Sequence, residues 1–220
     1  MDASVATSWQ RIVGWLEEHL PYAVNHLQPP APLAEISALR AAMGRRLPND
    51  LVAWLNLNNG FDRMAGFGSL IPFLYKPMSI DWMLRDREML LGVRAQVFGE
   101  SERPAETASA GARAFEWLDA FLPFGDAGTD CHLIVDLREG DLHGSVGTFD
   151  YESGGYSGPE WFSIAEMFAD VADSLTSGRP ALQEHARRYA ATRFPTRPPQ
   201  AWAPYIDDNR LRWRLVDLPE

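Results

Sequence analysis

The chain has 220 residues, of which 46% are hydrophobic, and it carries a formal net charge of −10. This length suits one domain with an appendage, and the negative charge disfavours binding to nucleic acid, whose phosphates are also negative. No apolar run approaches the roughly 18–20 residues that span a bilayer, so we expect no membrane segment. A start without a basic, apolar leader and the single cysteine, Cys131, favour a cytoplasmic protein without internal disulfides.

Charge is distributed unevenly along the chain. Between Phe115 and Asp173 there are thirteen acidic residues and one base, Arg138. From Arg179 onward there are eight arginines against five acids. An acidic segment attracts basic partners, whereas the basic tail can either lie across its own acidic domain or reach a separate acidic surface.

Caps and apolar spacing predict six helices. Thr7 and Gln10 have capping-box spacing, as do Ser163 and Glu166, and Ser79 can cap the longest helix. Gly44 is typical of a helix C-terminus. The predicted helices cover about residues 7–20, 32–43, 47–58, 79–97, 163–177 and 182–192.

The strands are expected around one hairpin. An apolar run from Phe121 leads into a tight turn at residues 125–130, and a second apolar run follows over residues 133–137. A second turn, at residues 138–141, predicts a further strand over 143–151. We also expect a strand at residues 69–75, where Pro72 indicates a sheet edge or a bulge. A late strand is expected at 211–215, and a mobile surface loop at residues 99–113. The glycine-rich segment 152–158 lacks the lysine of a phosphate-binding loop.

An ordered set of short motifs resembles the SMI1/KNR4 family of the SUKH superfamily. The set begins at Trp9 in the first helix and ends in the helix that starts at Ser163; Arg40 departs from it, since the family commonly has a glutamate there. The remaining motifs are Ile36, Leu39, Met43-Gly44, Leu47-Pro48-Asn49-Asp50-Leu51, Asn59-Gly60, Leu122-Pro123-Phe124-Gly125-Asp126, Gly128-Thr129-Asp130, Leu133, Asp136-Leu137 and Gly144 with Val146.

This resemblance implies an α+β fold with helices packed on a curved, mainly antiparallel sheet. We expect the family domain at residues 1–178, and a C-terminal extension at 179–220, a helix plus a proline-rich tail, packed on it. Such resemblance also implies a binding protein, and no catalytic residues come with the family. We expect no cofactor and no metal. Bacterial members are associated with immunity against polymorphic toxins, and fungal members act as scaffolds.

The main functional hypothesis is neutralisation of a cognate toxin, which we expect to be basic because nucleases bind phosphate backbones. Carboxylates interleaved with aromatic side chains suit such a partner. The predicted partner-binding residues are Asp126, Asp130, Glu139, Asp141, Asp150, Tyr151, Glu152, Tyr156, Glu160 and Trp161. An alternative interpretation assigns Asp126 and Asp130 to the turn alone and Trp161 to the core.

Two other functions stay open at this stage. A metal-dependent hydrolase would use oxygen and imidazole ligands that are close in sequence, although their spacing matches no established metal motif. These candidates are Asp126, Asp130, His132, Asp136 and His143. A scaffold would bind an endogenous partner through the 99–113 loop or through the arginines of the tail. Cys131 lies in an apolar run, which favours an inert thiol.

Overall fold

The computed structural model describes residues 4–62, 66, 68–99, 108–152, 154–194 and 196–219. Over these residues the chain forms seven helices, a five-stranded sheet and a two-stranded sheet, which confirms the predicted α+β class. The helices are α1 (Val5–His19), α2 (Pro21–Val24), α3 (Leu33–Met43), α4 (Asn49–Leu55), α5 (Ile80–Phe98), α6 (Ile164–Ser177) and α7 (Gln183–Arg193). The strands are β1 (Lys76–Pro77), β2 (Phe121–Asp126), β3 (Cys131–Asp136), β4 (Val146–Asp150), β5 (Gly155–Tyr156), β6 (Gln200–Asp207) and β7 (Arg210–Asp217).

Side-chain caps fix where the long helices begin. Ser79 Oγ accepts a hydrogen bond from the Trp82 backbone N–H at 3.3 Å, and Ser163 Oγ accepts one from Glu166 N–H at 3.0 Å. Gly44 ends α3 in the left-handed conformation, with φ of 59°. The first helix starts earlier than predicted, because Ser4 and not Thr7 is its cap.

The larger sheet has strand order β1-β2-β3-β4-β5, and every neighbouring pair is antiparallel. Successive side chains of a strand point to opposite faces, so each face carries its own core. Leu122, Leu133 and Val135 pack with the helices in the main core. Ile134 and Phe121 belong to a second core on the opposite face.

Trp54 is at the centre of the main core and has no exposed surface. Its ring centroid lies 5.0 Å from that of Phe124, 5.5 Å from Phe168 and 6.2 Å from Trp9. These contacts join α1, α4 and α6 to β2, and they fix the helical layer on the sheet.

The second core is small and aromatic. Trp117 packs edge-to-face on Phe149 and Phe121, with centroid distances of 5.1 and 5.9 Å. Beside it lies a buried ion pair, in which Arg138 Nη2 donates to Asp136 Oδ2 at 2.7 Å. Neither member of this pair has an exposed fraction above 2%, so each depends on the other for its charge to be tolerated.

Residues after Gly178 pack on the rest of the chain. Ala181, Leu211 and Trp213 belong to the main core, and the Trp213 indole N–H donates to the Ser69 carbonyl at 3.1 Å. The strand predicted at 211–215 is part of β7, whereas β6 arises in a proline-rich segment for which no strand was predicted. The division at Gly178 stays a prediction.

Two sequence-based expectations differ from the structure. Residues 69–75 do not form a strand; they turn back on themselves, with an isolated bridge between Ile71 and Tyr75 and a positive φ of 71° at Phe73. In the predicted 99–113 loop, residues 100–107 lie outside the described part of the chain, and the Ala110 N–H donates to the Glu139 carbonyl at 2.9 Å. The later part of that segment is therefore held against the β3–β4 hairpin.

Candidate protein-binding groove

The turn between β2 and β3 is shaped by its own polar side chains. Asp126 Oδ1 accepts a hydrogen bond from Gly128 N–H at 3.0 Å, and Gly128 has a φ of 71° that suits glycine. Thr129 Oγ1 accepts one from Cys131 N–H at 3.3 Å. The turn-forming interpretation of Asp126 is thus supported, yet the turn also leaves Asp130 exposed.

Helix α5 presents an apolar stripe beside this turn. Met89, Val93 and Val97 are spaced four residues apart, so they lie on one face of the helix. Their exposed fractions are 50%, 38% and 66%. Leu90 points the other way, into the second core. The exposed face of α5 is consequently more apolar than a solvated helix face requires.

A groove of about 580 Å³ lies between α5 and the β2–β3 turn. Its acidic members are Asp86, Asp126 and Asp130, and its apolar members include Met89 and Val93. We call this surface the α5 groove; it is lined by Asp86, Met89, Leu90, Val93, Asp126, Gly128, Thr129, Asp130, His132 and Tyr151.

Tyr151 supplies an aromatic wall of the α5 groove. Its ring packs edge-to-face on Phe149 at a centroid distance of 4.8 Å, while 38% of the residue stays exposed. Burial raises the pKa of Tyr151 to about 12, and nearby Arg94 opposes this shift. The hydroxyl is therefore protonated at neutral pH and can donate a hydrogen bond to a partner.

His132 ties the helical wall of the groove to the sheet. Its Nε2 lies 3.1 Å from Asp86 Oδ2, so β3 and α5 are connected across the groove floor. Asp86 is 15% exposed at its side chain, and His132 is 7% exposed. This contact connects α5 to β3 beside the turn, and both residues line the groove.

The predicted partner-binding residues do not form one surface. Asp126, Asp130 and Tyr151 line the α5 groove, and the exposed Glu152 follows Tyr151 in the chain. Glu139 and Asp141 are exposed in the hairpin beyond the far end of β3, roughly 17–20 Å away for a six-residue strand. Asp150 and Glu160 line a different cavity, next to α7.

Two of the predicted residues are buried. Tyr156 has no exposed surface and packs on Phe121 at 5.3 Å, since it pairs with Phe149 on the face of the second core. Trp161 is 2% exposed, and its indole N–H donates to Asp170 at 2.9 Å. Neither side chain can contact a partner in this conformation, so these two assignments are corrected to core residues.

The candidate metal ligands do not converge. His132 pairs with Asp86, Asp136 pairs with Arg138, and His143 Nδ1 lies 3.0 Å from the Arg138 carbonyl oxygen. Within the described residues, no three His, Cys, Asp or Glu side chains are grouped as a metal site would require. In that same part of the chain, no helix is long and apolar enough to cross a bilayer.

A comparison with protein-family models matches residues 30–174 to the SMI1 / KNR4 family (SUKH-1). The chain belongs to the SMI1/KNR4 family. No curated protein matches the sequence. The family match confirms the resemblance carried by the short motifs, and it contains α5, the β2–β3 turn and Tyr151. The α5 groove is thus built entirely within the SMI1/KNR4 domain, whereas α7 lies beyond the matched range.

The sequence alone indicated the acidic residues of the groove but not the apolar residues that α5 contributes. Asp126 and Asp130 were identified because they lie in an acidic segment. Met89 and Val93 were missed, although their four-residue spacing outside the buried stripe of α5 was a usable signal. That Asp86 approaches His132, 46 positions later in the chain, could not be inferred without the fold.

Proposed function

We propose that this SMI1/KNR4 protein is an immunity protein that neutralises a cognate bacterial polymorphic toxin by binding it through the α5 groove. The family is known for immunity-protein roles. The observation that supports this proposal most is the combination of carboxylates, exposed apolar side chains and one tyrosine in a preformed groove. The chain acts as a stoichiometric inhibitor, and no bond is made or broken.

Electrostatics would bring the two proteins together. The chain carries a net charge of −10, and Asp126 and Asp130 stand at one side of the groove. A basic toxin, such as a nuclease whose active site binds phosphates, is attracted to such a surface over about one Debye length. Association is then fast at low salt and slows as ionic strength rises.

Apolar contacts would supply most of the affinity. Met89 and Val93 can each bury surface on a partner without leaving a polar group unpaired. Tyr151 combines an apolar ring with a hydroxyl donor, which is typical of residues that dominate binding energy. A basic side chain of the toxin would lie between the aspartates while its neighbours cover the apolar stripe.

A scaffold that binds through its arginine-rich tail is less well supported. Arg212 pairs with Asp207 at 3.3 Å within the β6–β7 hairpin, and Arg214 lies over the Tyr205 ring at 5.6 Å. Leu211 and Trp213 anchor the same hairpin in the main core. These contacts favour a tail strapped across its own domain over a free arm.

The proposal is tested by titration calorimetry against the product of the neighbouring open reading frame, if that frame encodes a toxin domain. Val93→Glu and Asp130→Lys each alter the groove at an exposed position, and we expect each to weaken binding by about 30-fold or more. Matched controls are Leu33→Glu, at a 77% exposed site on α3, and Asp141→Lys, in the far hairpin.

We expect both controls to keep the wild-type affinity within about threefold. If Asp130→Lys and Asp141→Lys weakened binding equally, net charge alone would determine the affinity. That result would contradict binding through the α5 groove. Wild-type affinity in both groove variants would place the toxin on another surface.

A further inference from the structure

A small cavity of about 350 Å³ lies where the β6–β7 hairpin meets the SMI1/KNR4 domain. We call it the hairpin cleft; the lining side chains that decide its chemistry are Leu74 and Lys76 from the domain and Tyr205, Arg210, Arg212 and Trp213 from the hairpin. The hairpin follows the family match at residues 30–174, so one wall of the cleft is an addition to the family domain. The cavity volume is at the lower end of the usual range for small-ligand sites.

The hairpin cleft is positively charged in a chain whose net charge is −10. Among the described residues that line it, the charged side chains are Lys76, Arg210 and Arg212, and none is acidic. Two carboxylates that interact with these cations lie outside the cleft. Asp126 lines the α5 groove, and Asp207 contacts Arg212 Nε at 3.3 Å. The cleft is therefore a local positive site on an acidic protein.

Lys76 and Arg210 are close enough for their charges to repel each other. Burial lowers the pKa of Lys76, and Arg210 lowers it further, whereas Asp126 and Asp62 oppose the shift. Neither of these aspartates lines the cleft, and Arg210 forms no ion pair with any residue that the structure describes. An anion between the two cations would replace their repulsion with attraction, so this arrangement favours anion binding.

Strand β7 places both arginines on one face of the hairpin. Arg210 and Arg212 are two residues apart, so they are on the same side of the strand. Leu211 and Trp213 alternate with them and are buried in the main core. The backbone that carries the arginines is thus anchored on the domain, and their positions at the cleft are fixed by the fold.

The hairpin cleft also has an apolar side. Tyr205 is directly opposite Arg212 in the β6–β7 pair, so its ring is on the face that carries the arginines. Leu74, on the domain wall, is 49% exposed. A ligand that combines an anionic group with an apolar body can therefore contact the cations and bury apolar surface in the same cavity.

We propose that the hairpin cleft binds a small phosphate monoester, with its phosphate at Arg210, Arg212 and Lys76 and its apolar part beside Leu74 and Tyr205. A phosphate monoester carries a charge of about −1.5 to −2 at neutral pH, which suits three cations better than the single charge of a carboxylate does. Guanidinium groups bind phosphate oxygens through two parallel hydrogen bonds, and an ammonium group binds them as a point charge.

The test is titration calorimetry on the full chain at constant ionic strength, with phenyl phosphate, inorganic phosphate and benzoate as probes. We expect phenyl phosphate to bind, inorganic phosphate to bind about fivefold more weakly, and benzoate to bind at least about tenfold more weakly. Arg210→Ala and Lys76→Met should each weaken phenyl phosphate binding by at least about fivefold. The thermal midpoint of each variant without ligand checks that it is folded.

Arg187→Ala is the matched control, because it removes the same charge from an exposed position on α7 that does not line the cleft. Its affinity for phenyl phosphate should equal that of the wild type. The proposal is overturned if phenyl phosphate does not bind, if benzoate binds as tightly, or if Arg210→Ala binds as the wild type does. An equal loss in Arg187→Ala would mean that net charge alone attracts the anion, and equal affinity for inorganic phosphate would contradict an organic ester.

Discussion

Replacing Glu160 by Gln changes one titratable group and keeps nearly the same shape. Gln retains an oxygen that can accept from Thr148 Oγ1, so the chain of hydrogen bonds from Tyr75 is preserved. Gln cannot ionise, and it carries an amide NH2 group in place of one carboxylate oxygen. Any pH dependence of the unfolding free energy that Glu160→Gln abolishes is therefore caused by ionisation of Glu160.

The sign of the effect follows from the raised pKa. Burial raises the pKa of Glu160 from 4.5 to about 7 in the folded protein. As pH increases from 4.5 to about 7, the Glu160 carboxyl ionises readily in the unfolded chain, whereas burial opposes its ionisation in the folded protein. The wild type thus loses stability over this interval, and the loss is complete above about pH 7.

The magnitude is bounded by the size of the shift. A rise from 4.5 to about 7 corresponds to at most about 3 kcal/mol of unfolding free energy. Because Glu160 keeps some solvent contact, we expect about 1–2 kcal/mol. The free energy of unfolding of Glu160→Gln, relative to the wild type, should therefore rise by that amount between about pH 5 and about pH 8.

Urea unfolding followed by tryptophan fluorescence measures this difference at each pH. Glu139→Gln, at an exposed hairpin position, is the control and should give a difference that is nearly independent of pH. A Glu160→Gln difference that is also independent of pH would refute the buried-carboxyl assignment. A difference of the opposite sign would mean that Glu160 is ionised and paired in the folded protein.

Two further substitutions test the core and the tail. Asp136→Ala leaves the Arg138 guanidinium buried without its partner, so we expect a loss of about 3–5 kcal/mol of unfolding free energy in urea titrations. The exposed Asp141→Ala is the control and should lose less than about 1 kcal/mol. An equally small loss for Asp136→Ala would show that the Asp136–Arg138 pair is hydrated. Truncation after Gly178 removes Leu211 and Trp213 from the main core, and we expect a lower urea midpoint; an unchanged midpoint would show that the extension is a separate arm.

Local signals explain why much of the fold could be predicted from the sequence. Ser79, Ser163 and Gly44 act through hydrogen bonds or backbone angles within a few residues, so their roles can be recognised without tertiary information. The β2–β3 hairpin could likewise be predicted, from two apolar runs separated by a glycine-containing turn.

Distant contacts explain what could not be predicted. The apolar run at 69–75 has strand composition, but Phe73 adopts a positive φ and packs on Trp202, which lies in the C-terminal hairpin. Tyr156 was assigned to the surface because neighbouring glycines and acids suggested a loop, whereas a core position was left open for Trp161. The pairing of Tyr156 with Phe149 decides its side of the sheet, and that register depends on the whole hairpin.

Distant contacts also explain why only the acidic part of the α5 groove could be predicted from the sequence. Its acids share one segment of sequence, yet the fold separates Glu139 and Asp141 from Asp126 and Asp130 along the length of β3. The apolar half comes from α5, which reaches the turn through the His132–Asp86 pair. Composition revealed the excess of negative charge, whereas only the structure shows which part of it borders an apolar stripe.

Hydrogen–deuterium exchange on the protein with and without its cognate toxin domain tests the central claim most directly. If the toxin occupies the α5 groove, amides of residues 86–93, 126–132 and 151 should gain protection, while those of the far hairpin at 139–144 should exchange unchanged. Protection confined to the far hairpin or to α7, with the groove unaffected, would contradict the proposed interface.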